Sequence, residues 1–221
     1  MINIKHIIWD WNGTLVDDGW LFTELINIVL KKRGLKEIVL EDFRQKFCFP
    51  LEKYYQRLGF NFDIEPYDVA SLEFVKLYDK NRFRAAMHSN AIPLLKSINN
   101  LGIKNYLLSA QNESSLLEMV DFYKVSDVFE KVMGTDNVHA RGKERLGKSL
   151  IKSIGANNDE VLFVGDTNLD IKMATDVNAM IVAATYGHQS KNRFPNQKNI
   201  IFIKDFDEFF DLLPLKSLGC L

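Results

Sequence analysis

The chain has 221 residues with 28 basic and 29 acidic side chains, a net charge of −1, and 47% hydrophobic residues. That length holds one or two domains of about 100–200 residues, and the mix buries a core and excludes intrinsic disorder. Near-neutral charge removes long-range attraction to nucleic acid or anionic membrane, and no apolar run reaches the roughly 18 residues of a membrane span.

The two cysteines, Cys48 and Cys220, form no CxxC pair, so a reducing compartment is the simpler expectation. Met1 to His6 shows no basic stretch leading into a long apolar region, so no secretory signal is expected. The expectation is a cytoplasmic protein without nucleic-acid or membrane partners, either monomer or homodimer.

Lys5 to Trp9 (KHIIW) is a short β-branched apolar run, and Asp10-Trp11-Asn12-Gly13 is turn-rich. This predicts a buried strand followed by a loop. From about Trp20 the period becomes helical: Leu21, Phe22, Leu25, Ile26, Val29 and Leu30 share one face, with Gly34 as the stop. Further helices are predicted over 40–48, 51–58 and 66–81, and no strand between 17 and 87. That window holds 12 basic and 12 acidic residues and reads as an inserted all-helical bundle.

After it, strand and helix alternate. Helices are predicted over 92–101, 114–122, 143–154, 169–176 and 206–213. Strands are predicted over 104–109, 129–133, 161–165, 179–185 and 200–203. Such alternation implies a parallel sheet with helices on both faces. The predicted fold is α/β: a Rossmann-like parallel sheet core over 1–16 and 88–221, with a helical cap over 17–87.

Ligands of open parallel sheets bind beyond the carboxyl ends of the strands. The predicted strands end at Asp10, Ser109 and Asp166, and Lys143 opens a helix. Two carboxylates, a hydroxyl and an ammonium at one rim suit a phosphoryl group with a divalent cation.

Asp10-Trp11-Asn12-Gly13-Thr14-Leu15-Val16-Asp17 resembles the first motif (DxDGTLxD) of phosphatases of the haloacid dehalogenase (HAD) superfamily. Ser109 at a strand end fits the second motif, Lys143 the third, and Gly165-Asp166-Thr167-Asn168-Leu169-Asp170 matches the fourth, GDxxxD. Lys148 is the rival for the third. The resemblance spans the whole chain and is closest to the phosphoglycolate phosphatase-like branch. It implies a Mg²⁺-dependent phosphatase of a small phosphorylated metabolite, including a phosphoglycolate-like one, with Asp10 as nucleophile. It further implies metal ligation by Asp10, Asp166, Asp170 and the main-chain carbonyl of Asn12. Ser109, Lys143 and the N–H groups of Trp11 and Gly13 would cradle the phosphate.

One residue departs from the pattern. The family carries a second Asp two positions after the nucleophile, which protonates the leaving oxygen; this chain has Asn12. Loss of such a group costs about 10²–10⁴-fold in rate. Four explanations stay open: substrates with good leaving groups, a substitute acid such as Asp17 or His139, a deliberate alteration, or deamidation at Asn12-Gly13. A catalytically weakened phosphate-binding or regulatory protein is the alternative function.

The histidines His6, His88, His139 and His188 show no metal-ligand spacing, although Tyr186-Gly187-His188 follows a strand and is placed near the rim. Trp11 is a candidate for the pocket mouth, and Arg82 and Arg84 for a solvated face. Gly142 to Ser149 satisfies GxxxxGK[ST], a P-loop pattern, but lacks an apolar strand running into its first glycine; a nucleotide-binding protein is the remote alternative.

Overall fold

Side chains of β1 (His6–Trp9) alternate between two packed layers. Ile7 and Trp9 join one core cluster and Ile8 the other, the period-2 pattern of a strand covered on both faces. The structure, a computed structural model, describes residues 4–136 and 142–212.

β2 (Val16–Asp17) follows, then helices α1 (Gly19–Lys32), α2 (Leu40–Lys46), α3 (Leu51–Arg57) and α4 (Tyr67–Asn81), then β3 (Ala86–Met87). Strand and helix alternate from there: α5 (Ala91–Asn100), β4 (Lys104–Asn112), α6 (Glu113–Phe122), β5 (Lys131–Thr135), α7 (Lys143–Ile154), β6 (Val161–Gly165) and α8 (Asn168–Asp176). β7 (Met180–Ala184), β8 (Ile200–Ile203) and α9 (Phe206–Leu212) complete the described chain.

Six strands form one parallel sheet in the order β5-β4-β1-β6-β7-β8. Leu94 and Leu95 of α5, Leu116 of α6 and Phe209 of α9 pack with Trp9 on one face. Leu150 of α7 and Ile171 of α8 pack with Ile8 on the other. The architecture is the expected α/β one, a Rossmann-like sheet with an inserted helical cap.

The cap helices α1–α4 have their own core. Ile26, Val29 and Leu30 of α1 meet Phe43 of α2, Tyr54 and Tyr55 of α3, and Ala70 of α4. Each fully buried side chain of this size is worth about 1.5–3 kcal/mol. Phe43→Ala would cost about 3–5 kcal/mol, since the ring is fully enclosed.

Two local expectations need correction. Strands do occur at the stem of the helical insert: β2 and β3 pair antiparallel, Val16 with Met87 and Asp17 with Ala86. Two-residue strands have no period to read, so only tertiary pairing reveals them. β4 also runs on to Asn112, so Ser109 lies within it rather than at its end. The register with β5 shifts between Leu108 and Asn112, so the strand deforms where Ser109 sits.

Candidate active site

β1 and β6 are paired in register from His6–Val161 to Trp9–Val164. The residues that follow them, Asp10 and Asp166, therefore emerge side by side. The Asp10 N–H donates to the Val164 carbonyl at 2.8 Å, which extends the pairing by one residue. Here the sheet order grows away from β1 in both directions, the switch point where open parallel sheets bind ligands.

Asp10, Asp166 and Asp170 are buried, and each places one carboxylate oxygen within 4.8 Å of those of the other two. Lys143, the first residue of α7, lies between them. Its Nζ is 2.7 Å from Oδ1 of Asp10 and 2.7 Å from Oδ1 of Asp170. The rival Lys148 lies inside α7 and is exposed. The helix begins at Lys143 and runs through Ser149, so no P-loop forms there.

Burial, with the neighbouring acids, pushes the carboxyl groups of Asp10 and Asp166 upward. Burial alone would lower Lys143, but the charges of Asp10 and Asp170 outweigh it and hold the ammonium above its ordinary value. Three buried carboxylates against one ammonium leave an excess negative charge that folding alone does not compensate. An all-oxygen donor set with that excess fits a hard divalent cation such as Mg²⁺.

Hydrogen bonds fix these acids. Thr14 Oγ1 donates to Asp166 Oδ1 at 3.0 Å, and the His188 N–H donates to Oδ2. Thr167 caps α8 and donates to Asp170 Oδ2 through its N–H at 3.1 Å and its hydroxyl at 2.6 Å, a capping box. Two glycines make room. A Cβ on Gly13, whose φ is +76°, would lie 2.2 Å from Asp166 Oδ2, and one on Gly187 would lie 2.3 Å from the same atom. Only hydrogen fits there.

Asn12 sits in a network that sequence reasoning missed. Its Nδ2 donates to Asp18 Oδ2 at 2.6 Å and lies 2.6 Å from the Tyr78 hydroxyl. Tyr78 donates to the same Asp18 oxygen at 2.8 Å. Asp18 Oδ1 accepts the Gly13 N–H at 2.9 Å and faces His188 Nε2 at 2.8 Å. Asp18 is completely buried, whereas Asp17 is exposed in β2 and does not reach Asn12. His139, the other candidate acid, lies outside the described residues, as does Cys220.

Other expected residues sort as follows. Ser109 is buried, and its Oγ accepts the Gln111 N–H at 3.1 Å, which leaves its hydroxyl proton for a ligand. The Trp11 N–H donates to Asp10 Oδ1 at 2.7 Å, and the Gly13 N–H donates to the Val16 carbonyl and to Asp18. Both bond within the protein, Trp11 to the nucleophile's own carboxylate and Gly13 within the loop that folds around Asp18. The Trp11 side chain is fully buried against Tyr123, with ring centres 5.9 Å apart, and does not line the mouth. Arg82 is buried and paired with Glu118, correcting the solvated reading, while Arg84 pairs with Glu24 at the surface. His6 and His88 contact Tyr106 and Tyr186; His188 alone of the described histidines joins the carboxylates.

An open cavity rises from Asp10, Ser109 and Lys143 to the helices α1–α4. Its far wall is aromatic, with Phe22, Phe43, Phe47 and Tyr54 among its residues.

Comparison with known proteins gives this geometry a family. The chain is 24% identical over 224 residues to the phosphoglycolate phosphatase of Pseudomonas syringae pv. syringae, covering 98% of this chain and 80% of that protein. It is 22% identical over 217 residues to phosphoglycolate phosphatase 1 of Pseudomonas aeruginosa, covering 95% and 79%. A haloacid dehalogenase-like family protein from Streptococcus pneumoniae superposes with a TM-score of 0.81 at 19% identity, covering 96% of this chain and 100% of that one. Protein Tyrosine Kinase A of Mycobacterium tuberculosis superposes with a TM-score of 0.79 at 16% identity, covering 96% and 99%, a reminder that fold alone does not decide activity. Among the described residues no helix is long and apolar enough to cross a membrane. Residues 7–184 match the family model of the haloacid dehalogenase-like hydrolases, and the chain belongs to that family.

Proposed function

We propose that this hydrolase is a Mg²⁺-dependent phosphatase of a small phosphorylated substrate, working through an aspartyl-phosphate on Asp10. The observation that carries the reading is the buried cluster of Asp10, Asp166 and Asp170 around Lys143 at one sheet rim. The likeness to phosphoglycolate phosphatases supports the reaction class.

Oδ1 of Asp10 is held by the Trp11 N–H and by Lys143. Among the described residues Oδ2 has no donor, and it is the oxygen that attacks phosphorus. The P–O bond to the leaving group breaks as the new one forms; water then cleaves the aspartyl-phosphate, releasing inorganic phosphate. Lys143 and the Ser109 hydroxyl hold the transferring group, and Lys143 reduces repulsion between phosphate and nucleophile. Asp10, Asp166 and Asp170, with the Asn12 main-chain carbonyl, would hold Mg²⁺, which supplies charge neutralisation at the phosphoryl oxygens.

Asn12 gives no proton to the leaving group, so good leaving groups are favoured. Deamidation is disfavoured, because both reacting groups are tied up: the Gly13 N–H in two hydrogen bonds and the Asn12 amide to Asp18. The test is phosphate release from p-nitrophenyl phosphate with Mg²⁺ and with EDTA. Turnover that requires Mg²⁺ and falls by about 10⁴-fold or more in Asp10→Asn supports the reading. No turnover by the folded protein favours a phosphate-binding relative that has lost its chemistry.

A further inference from the structure

The cavity above the carboxylates is lined by rings and holds little free charge. Phe22, Phe43, Phe47, Tyr54, Phe74 and Val75 form much of its wall. The basic side chains that line it are Lys143 and His188. Both are committed, Lys143 to Asp10 and Asp170, and His188 to Asp18 at 2.8 Å. The further charged group on the wall is an acid, Asp79. It accepts a hydrogen bond from Ser115 Oγ at 3.0 Å and has Arg82 at 3.7 Å.

A substrate with a carboxylate beyond its phosphate, such as phosphoglycolate, would bring a second charge into a cavity walled by rings, neutral polar side chains and the acid Asp79. Among the described residues no lining cation is free to receive it, and an unpaired charge in such a place is strongly disfavoured. A flat apolar group, by contrast, gains edge and face contacts from the same wall.

The leaving-group chemistry points the same way. Asn12 cannot protonate the departing oxygen. A phenol has a pKa of about 10 and departs as phenoxide; an aliphatic alcohol, close to water, is far less acidic and needs an acid. Wall and missing acid thus select one kind of alcohol.

Resting on the phosphatase reading, we propose that the substrate is an aryl phosphate monoester whose uncharged ring lies against the aromatic wall formed by α1–α4. Asp10 Oδ2 forms a bond to phosphorus as the aryl O–P bond breaks. The phenoxide leaves with the electron pair and takes its proton from solvent. Water then converts aspartyl-phosphate to Asp10 and inorganic phosphate.

The experiment compares three esters and one acyl phosphate with the full-length protein and Mg²⁺: phenyl phosphate, benzyl phosphate, 2-phosphoglycolate and acetyl phosphate. Phenyl phosphate is expected to exceed phosphoglycolate in kcat/KM by at least about 100-fold. Benzyl phosphate, with the ring but a poor leaving group, is expected to match phenyl phosphate in KM and fall in kcat. Acetyl phosphate, with a good leaving group but no ring, is expected to keep kcat and rise in KM. Val75→Lys, which adds a cation to the wall, is expected to raise KM for phenyl phosphate and lower it for phosphoglycolate. No turnover of any of these substrates by the folded protein removes the phosphatase reading and this inference with it. Turnover in which phosphoglycolate equals or exceeds phenyl phosphate leaves the phosphatase reading intact and overturns the aryl assignment.

Discussion

At the sheet rim, Lys143 spans two buried carboxylates at 2.7 Å each. Across the same cavity, Phe43 and Phe47 face it with ring centres 5.1 Å apart, and Tyr54 lies 5.2 Å from Phe47. The rim gathers charge out of water, which is tolerable only where every charge has a partner. The wall gathers apolar surface, which needs no partner and little directionality. The rim can therefore do one chemistry with few permitted substitutions, whereas the wall chooses what accompanies the phosphate and can be repacked at modest cost.

The change that would blur this division most is Asn12→Asp. The new carboxyl would stand beside Asp18 Oδ2, where the Asn12 amide now donates at 2.6 Å. Two acids that close share a proton, so one of them stays protonated above the ordinary carboxylate range. That supplies the missing general acid. Turnover of benzyl phosphate is expected to rise by about 10²–10⁴-fold, with a much smaller gain on phenyl phosphate. The acid form is lost as pH rises through the raised value, so the gain should fade on the alkaline side. Steady-state kcat against pH for both esters checks this, and an unchanged benzyl rate would show that the network does not deliver its proton.

Next in size is Lys143→Met, which removes the single ammonium between Asp10 and Asp170. Leaving buried carboxylates unpaired is expected to cost about 3–5 kcal/mol, read as a lower urea midpoint in EDTA. Added Mg²⁺ should recover part of the loss, since a ligand that binds only the folded state stabilises it. Burial already pushes Asp10 upward, and without the lysine that rise grows. A carboxyl raised on folding destabilises most at high pH and least below its unfolded value. The deficit should therefore shrink as pH falls toward about 4. A midpoint unchanged at pH 7 would contradict the charge balance drawn for the rim.

The two regions were also unequally legible in the sequence. The apolar runs before Asp10 and Asp166 locate β1 and β6, and those strands carry the two acids to one rim in register. Lys143 is readable as the first residue of a helix. Asp18 is not, because its partners Tyr78 and His188 come from distant parts of the chain. In the structure Val16 is buried, Asp17 exposed and Asp18 buried, but two adjacent aspartates before a helix carry no pattern in the sequence that tells them apart. The helical period of α1 identifies a core face but cannot say that Phe22 also turns toward the rim and packs 4.7 Å from the His188 ring. Trp11 misled because a loop aromatic beside a nucleophile reads as a pocket residue, while the sheet needs its ring for the core.

Apart from Asp79, the cap also carries charge away from the cavity. Arg33, at the end of α1, donates to Glu65 at 3.1 Å and to Glu73 at 3.0 Å, and its guanidinium lies 5.6 Å from the Phe60 ring centre. Its side chain is 15% exposed, and those of Glu65 and Glu73 are 35% and 22% exposed. Solvent therefore screens these pairs, and Arg33→Met is expected to cost only about 1 kcal/mol, a fraction of the loss at Lys143. Burial alone would raise Glu73, but hydrogen bonds from Lys32 and Arg33 outweigh it and hold the carboxyl below its ordinary value. A group depressed on folding adds stability above its unfolded pKa, and that contribution is lost as pH falls through the folded one. The difference in thermal midpoint between wild type and Arg33→Met should thus be present at pH 7 and shrink as pH falls below the ordinary carboxylate range of about 4. A loss as large as that of Lys143→Met would mean that the cap, like the rim, depends on charges held out of water.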